Sequence, residues 1–432
     1  MKKMKKLIAL ASCMVLGASA CASLAGCGGK GSDYLEVVVL SAGYGDEWIE
    51  DIRAKFEEET GIKVHLTAEY DVRPIISSHM ASKKNDDDLY IATDTAWKTY
   101  AAQKKFAPLD DLLDDTVDGV KVSDKIRDEY SDSIWYTDQK NTKACYRLPW
   151  TSGTGGIFYN KKMFDDVGMD YPTSKMSADD FKEMIVELRE RLCTSNKTND
   201  YGVKYKEGIS CIIDCNIKWD SLAWPLLKSF GGTIVNEQGE VTFDSEENLN
   251  AFKYWKSLTE NEDYACPLAI SVEKGGTNPG IQFRMQQAPL YFQSRAVAGD
   301  IVTSTTMGGQ TYYGITDLGA AGLPQFGPAY TIGGGCSGYA VYSEVVNVTE
   351  AWQFVKHVVS IEGQNAYSET GGCVPVRKDL LEDKNAAWRK SLPDVFDAAD
   401  HEAFVENMDC YASTRDFYQY IPLSAQSSIL AK

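Results

Sequence analysis

Histidine is scarce in this chain of 432 residues, with four, at positions 65, 79, 357 and 401. None sits in a His-Glu-x-x-His pair, and Cys211-x-x-x-Cys215 lacks a second ligand pair, so neither a cofactor nor a structural zinc is expected. Basic residues are also in deficit, 44 Lys and Arg against 62 Asp and Glu. The resulting formal charge of −18 disfavours nucleic acid and other polyanions as partners, whereas a neutral ligand would be indifferent to it. Beyond residue 27 no apolar run approaches the roughly 20 residues of a transmembrane helix. No Gly-x-Ser-x-Gly elbow, phosphate-binding loop or dinucleotide fingerprint is present either, which removes the commonest signatures of hydrolases and nucleotide enzymes.

What is present begins at the amino end. Met1-Lys2-Lys3-Met4-Lys5-Lys6 is followed by an apolar run from Leu7 to Leu16 and by small residues up to Cys27, the layout of a secretory signal over 1–26. Leu24-Ala25-Gly26-Cys27 resembles a bacterial lipobox, in which the Cys27 thiol takes a lipid; Cys21 is a poorer second candidate. Gly28 to Ser32 then reads as a flexible tether, so 27–32 is expected to be a lipid-anchored linker and the membrane an anchor only. With Cys13 and Cys21 in the leader and Cys27 lipidated, eight of the 11 cysteines remain. An even number permits disulfides, but a chain this long does not need them.

About 400 mature residues exceed one ordinary domain, so two lobes with two cores are expected. Leu35 to Leu40 is a β-branched run suited to a buried parallel strand, and Trp48, Ile52 and Phe56 repeat as the stripe of the following helix. Gly61 stands where a left-handed cap ends that helix, and Ile62, Val64 and Leu66 alternate as the next strand. This is a βαβ unit, and another strand follows over Leu89 to Thr93. A second α/β region begins near Trp150, with a strand over Gly156 to Tyr159. Phe181, Ile185, Leu188 and Leu192 then form a helix stripe behind the cap candidate Ser177. Gly333-Gly334-Gly335 reads as a loop before a strand over Gly338 to Tyr342.

Four segments resemble the extracellular sugar-binding proteins of ABC transporters, the maltose-binding-like group of solute-binding proteins. They are Leu40 to Gly45 with Phe56-x-x-x-Thr60-Gly61-Ile62-x-Val64; Leu148-Pro149-Trp150 with Tyr159-Asn160-Lys161; Phe230-Gly231-Gly232 with Val241 to Ser245; and Gly333 to Gly335 with Ala351-Trp352-x-Phe354 and Gly371 to Arg377. The resemblance implies a two-lobed α/β fold of the periplasmic-binding-protein type II, closing on its solute by a hinge. It implies lobes over 33–149 with 312–358 and over 150–311 with 359–432. It further implies a monomer that delivers a sugar to ABC permease subunits from the outer face of the cytoplasmic membrane.

A sugar site needs aromatic platforms and groups that take hydroxyl pairs. Tyr44, Glu47, Asp94, Thr95 and Trp97 lie just past predicted strand ends, where such sheets bind ligands. Trp48 and Trp97 could equally pack at a helix start. From the resemblance, Trp150, Thr151 and Ser152 follow a hinge crossing, Gly334 borders the cleft, and Tyr291 and Arg295 match the stretch where relatives carry Gly-x-Trp. Gln293 to Arg295 replaces those residues here, and the arginine could point to an acidic or sulfated sugar. Trp219 and Trp224 complete the candidates, with core packing as their alternative. The rival reading is an exported glycoside hydrolase, which would need two carboxylates roughly 5 to 10 Å apart; the same fold binding a polyamine, a glycerol phosphate or a metal chelate is another.

Overall fold

The computed structural model describes residues 34–40, 47–69, 72–82, 87–92, 97–125, 135–137, 143–217, 220–236, 240–259, 267–271, 280–307, 309–345, 348–372 and 374–413. The leader, Cys27 and the tether lie outside them. Strand β1 (Leu35–Leu40) feeds helix α1 (Glu47–Thr60), which buries Trp48, Ile52 and Phe56 and ends at Gly61 with φ +73°. Strands β2 (Val64–Glu69) and β3 (Leu89–Ala92) then pair with β1, both parallel, as a βαβ start requires.

Strand β4 (Leu148–Asn160) is thirteen residues long and belongs to both halves of one eleven-stranded sheet. Its first part, Leu148 to Thr154, runs antiparallel to strand β9 (Ile332–Val341), which in turn pairs with β3. From Gly155 onward it pairs instead with β7 (Leu290–Ser294) and β8 (Leu318–Gly322), between which the short helix α5 (Ala298–Val302) lies in sequence. Strand β7 leads on to β5 (Ile213–Cys215), which pairs parallel with β6 (Ala269–Ser271). Two short late strands, β10 (Val374–Pro375) and β11 (Tyr411–Ser413), add to β4 and β9 at the crossing.

Helix α2 (Ala178–Leu192) is capped by the Ser177 hydroxyl, and its Phe181, Ile185, Leu188 and Leu192 are all buried. With α3 (Asp220–Ser229) and α4 (Glu246–Thr259) it encloses a smaller core around β5 and the far end of β4. The larger core does not stop at the first lobe. It runs from β1 and α1 through the crossing strands to Tyr291, Phe396 and Phe404.

Strand β8, placed in the first lobe by the resemblance, ladders with Tyr159 and Phe158 in the second half of the sheet. Helices α6 (Val348–Val358) and α7 (Ile361–Ser368) both pack on α1, and Lys55 of α1 pairs with Glu362, so the change at 358/359 falls inside one packed helical pair. Gly333 to Gly335 are not a loop but lie within β9, and they are in strand because both β4 and β11 pair with them. No helix among the described residues is long and apolar enough to cross a membrane. Cys145 and Cys410 are free thiols.

Candidate functional site

Strands β1 and β3 end together, at Leu40 and Ala92. In parallel sheets that edge is where ligands bind. Tyr44, Asp94 and Thr95 follow those strand ends in sequence and lie outside the described residues, as does Trp219 before α3. Glu47 is the first residue of α1, and only its backbone is described.

Behind this edge stands an aromatic cluster. Trp150 on the crossing strand stacks on Trp48 with centroids 4.5 Å apart and an interplanar angle of 19°, and Tyr367 of α7 covers both, 4.6 Å from Trp150 and 4.8 Å from Trp48. Tyr339 of β9 meets Trp150 edge-on at 5.9 Å. The Trp150 carbonyl accepts from the Gln364 side chain, whose own oxygen takes Val376 N–H at 2.9 Å. The amide thus fixes β4 to both α7 and the segment after β10. Both indole N–H groups, of Trp48 and Trp150, are buried without a protein acceptor. Trp48 is buried as the α1 stripe requires, whereas nothing local in sequence marks Tyr367.

The remaining candidates are built into the interior. Trp97 is buried under the Arg147 guanidinium, 5.2 Å from its ring, and Trp224 is buried in the smaller core with Lys228 over it at 5.4 Å. Thr151 and Ser152 are buried between β9 and β10, and the Ser152 hydroxyl has no protein partner. Tyr291 is buried with its hydroxyl accepting from Gln293 Nε2 at 3.1 Å, and burial pushes its pKa up. Gly334 sits between Thr154 and Ser413, its carbonyl taking the Tyr411 hydroxyl at 2.8 Å. A Cβ at neighbouring Gly333 would lie 2.3 Å from Pro225 Cγ, so glycine there lets α3 lie on the strand.

Arg295 is fully buried. Its Nη1 donates to the carbonyls of Ser368 and Gly372, and its Nη2 to the Trp388 carbonyl and the Ser391 hydroxyl. A guanidinium removed from water must place its donors. Here the acceptors belong to the protein, so the expectation of an arginine facing an anionic sugar does not fit this conformation.

Buried carboxylates are likewise engaged with backbone. Asp214 on β5 accepts from Phe283 N–H at 3.2 Å, and burial raises its pKa to about 6. Asp400 accepts from Ala320 N–H at 2.7 Å and lies 3.3 Å from Lys161; burial raises it too. Asp88 takes Glu36 N–H at 3.0 Å at the start of β1. These groups hold the frame.

Comparison with known proteins gives the same architecture. Maltose-bound MalE3 of T. maritima superposes with a TM-score of 0.68 at 15% identity, covering 92% of this chain and 94% of that one. UgpB of Mycobacterium tuberculosis with glycerophosphocholine gives 0.70 at 18% identity, covering 93% and 92%. A putative binding protein of Brucella abortus (strain 2308) is 20% identical over 343 residues, 77% of this chain and 73% of its own length. The sequence profile of bacterial extracellular solute-binding proteins matches residues 51–395. With a two-lobed α/β frame, crossing strands and that match over most of its length, this chain belongs to the bacterial extracellular solute-binding protein family.

Proposed function

We propose that the protein is the substrate-binding component of an ABC importer and that its solute is a carbohydrate, with an oligosaccharide as first choice. The observation that supports this most is the chain-length likeness to two-lobed binding proteins solved with maltose, cycloalternan and α-D-tagatose. The solute would lie between the lobes, walled by Tyr44, Glu47, Asp94, Thr95 and Trp219 on the loops beyond the strand ends, with the Trp48–Trp150–Tyr367 cluster as their support. Ligand that bridges the lobes favours the closed form, which the permease subunits would recognise. Lipid on Cys27 would hold a monomer at the outer face of the cytoplasmic membrane, and binding would proceed without turnover. In this reading the lobes are 33–149 with 312–358 and 150–311 with 359–432.

A thermal-shift screen of residues 28–432 tests the reading. At a hundred times Kd a ligand adds about 2.7 kcal/mol to the native state, a shift of several degrees. A maltooligosaccharide or a related saccharide is expected to raise Tm while spermidine is not. A response to phosphate esters alone would replace the sugar by a glycerophosphodiester, the second reading, which the likeness to UgpB with glycerophosphocholine supports.

A further inference from the structure

We infer that the crossing of β4 and β9 is hydrated, with ordered water inside the protein accepting from the indoles of Trp48 and Trp150 and bonding the hydroxyls of Ser152, Thr154 and Tyr339. This rests on the packing at the crossing and not on the identity of the solute.

These five side chains are sealed from solvent, none of them more than 3% exposed. Yet the indole nitrogens of Trp48 and Trp150 and the hydroxyls of Ser152, Thr154 and Tyr339 have no hydrogen-bond partner among the described residues. A buried polar group without a bond is costly, and folded proteins leave few of them. Here they gather around two strands. Trp150, Ser152 and Thr154 follow one another at every second position of β4, Tyr339 of β9 meets Trp150 edge-on, and Trp48 stacks on Trp150. Backbone and amide acceptors close by are already engaged, the Trp150 carbonyl by Gln364, the Gln364 oxygen by Val376 N–H and the Gly334 carbonyl by the Tyr411 hydroxyl.

The backbone is irregular where these groups sit. Thr151 and Pro149 pair with the consecutive residues Ser337 and Gly338, so the register shifts and Trp150 stands outside the ladder. A bulge of this kind interrupts the row of backbone bonds and bends the strand. Farther along, Thr154 pairs with Gly334, which has no side chain to fill the space across from the threonine. The chemistry of the five groups narrows the occupant. An indole N–H only donates, so its partner must accept, whereas a hydroxyl does both, and none of the five is charged. Water accepts and donates and is the usual partner of such buried groups. It can turn to follow its neighbours, so β4 could flex at the bulge without stranding a donor.

The test needs no solute. A hydroxyl buried dry costs stability, so its removal would raise Tm, whereas a hydroxyl bonded to water loses those bonds when it is removed. The apolar isosteres Ser152→Ala and Thr154→Val are each expected to lower Tm by a few degrees. The ring donors are read in the parent protein, labelled with nitrogen-15 tryptophan and assigned through Trp48→Phe and Trp150→Phe. Both indole protons are expected to show magnetic cross-relaxation with water, of the sign that separates a bound water from chemical exchange. A Tm unchanged or raised in both isosteric variants would overturn the inference. So would the absence of water cross-relaxation at both indoles, a measurement on the parent that holds even where a variant fails to fold. Failure of every saccharide in the thermal-shift screen would leave either result standing.

Discussion

The Nη2 of Arg295 lies 3.4 Å from Nδ1 of His401, and since arginine only donates, that ring nitrogen is the acceptor. The proton therefore sits on Nε2, 3.1 Å from the Ser391 carbonyl that receives it. Burial, with the Arg295 charge second, lowers the His401 pKa to about 4. The unfolded chain binds a proton near pH 6.5 that the native state refuses, so this histidine's share of stability is complete above pH 6.5 and is lost as pH falls towards 4. Relative to His401→Gln, the parent should lose roughly 1 to 2 kcal/mol between pH 7 and pH 5. Urea melts at the two pH values measure it, and parallel curves for the two proteins would count against the assignment.

Asp88 should behave with the opposite sign. Burial first, and then Glu36, Asp87 and Glu350, raise its pKa to about 6. Folding takes up a proton there, so its contribution is greatest below pH 4 and disappears as pH rises through 6. Asp88→Asn keeps an acceptor for Glu36 N–H and removes the repulsion. It should stabilise the protein at pH 7.5 by about 1 kcal/mol, solvent screening having reduced the full effect of the shift. A variant no more stable than the parent at that pH would refute it.

Truncating the stacked indole at the crossing should be costly. Trp150→Ala leaves Trp48 and Tyr367 facing a void, and about 3 to 5 kcal/mol is expected from chemical denaturation. Trp150→Phe should cost clearly less.

Gly333→Ala tests the helix contact. Its new methyl would meet Pro225 and the Ser221 carbonyl, so a loss of about 1 to 3 kcal/mol is expected. If the residue served only to admit a ligand, stability would be unchanged and affinity alone would fall.

Cys27→Ser should release the protein from membranes into the soluble fraction, as judged by fractionation of cells. Retention in the membrane pellet would exclude the lipid anchor.

Much of the frame was legible because it is periodic. The α1 stripe of Trp48, Ile52 and Phe56 and the α2 stripe of Phe181, Ile185, Leu188 and Leu192 are buried as their spacing requires. The candidate site was less so. An indole announces apolar area but not which way it faces, and Trp97 and Trp224 are packed in cores while Trp150 joins a cluster at the crossing. Arg295 has five donors in any context, and sequence cannot say whether a sugar or a set of carbonyls receives them. Three consecutive glycines suggest a loop, yet Gly333 pairs with β11, Gly335 with β4 and Gly334 with both, which holds them extended.

The thirteen residues of β4 carry a mechanical implication. One strand supplies hydrogen bonds to both halves of the sheet, and the larger core continues past it, so neither lobe owns a complete set of strands or a closed interior. Heat or denaturant should melt the two in a single transition. A lobe expressed by itself would carry an open sheet edge and be a poor folding unit.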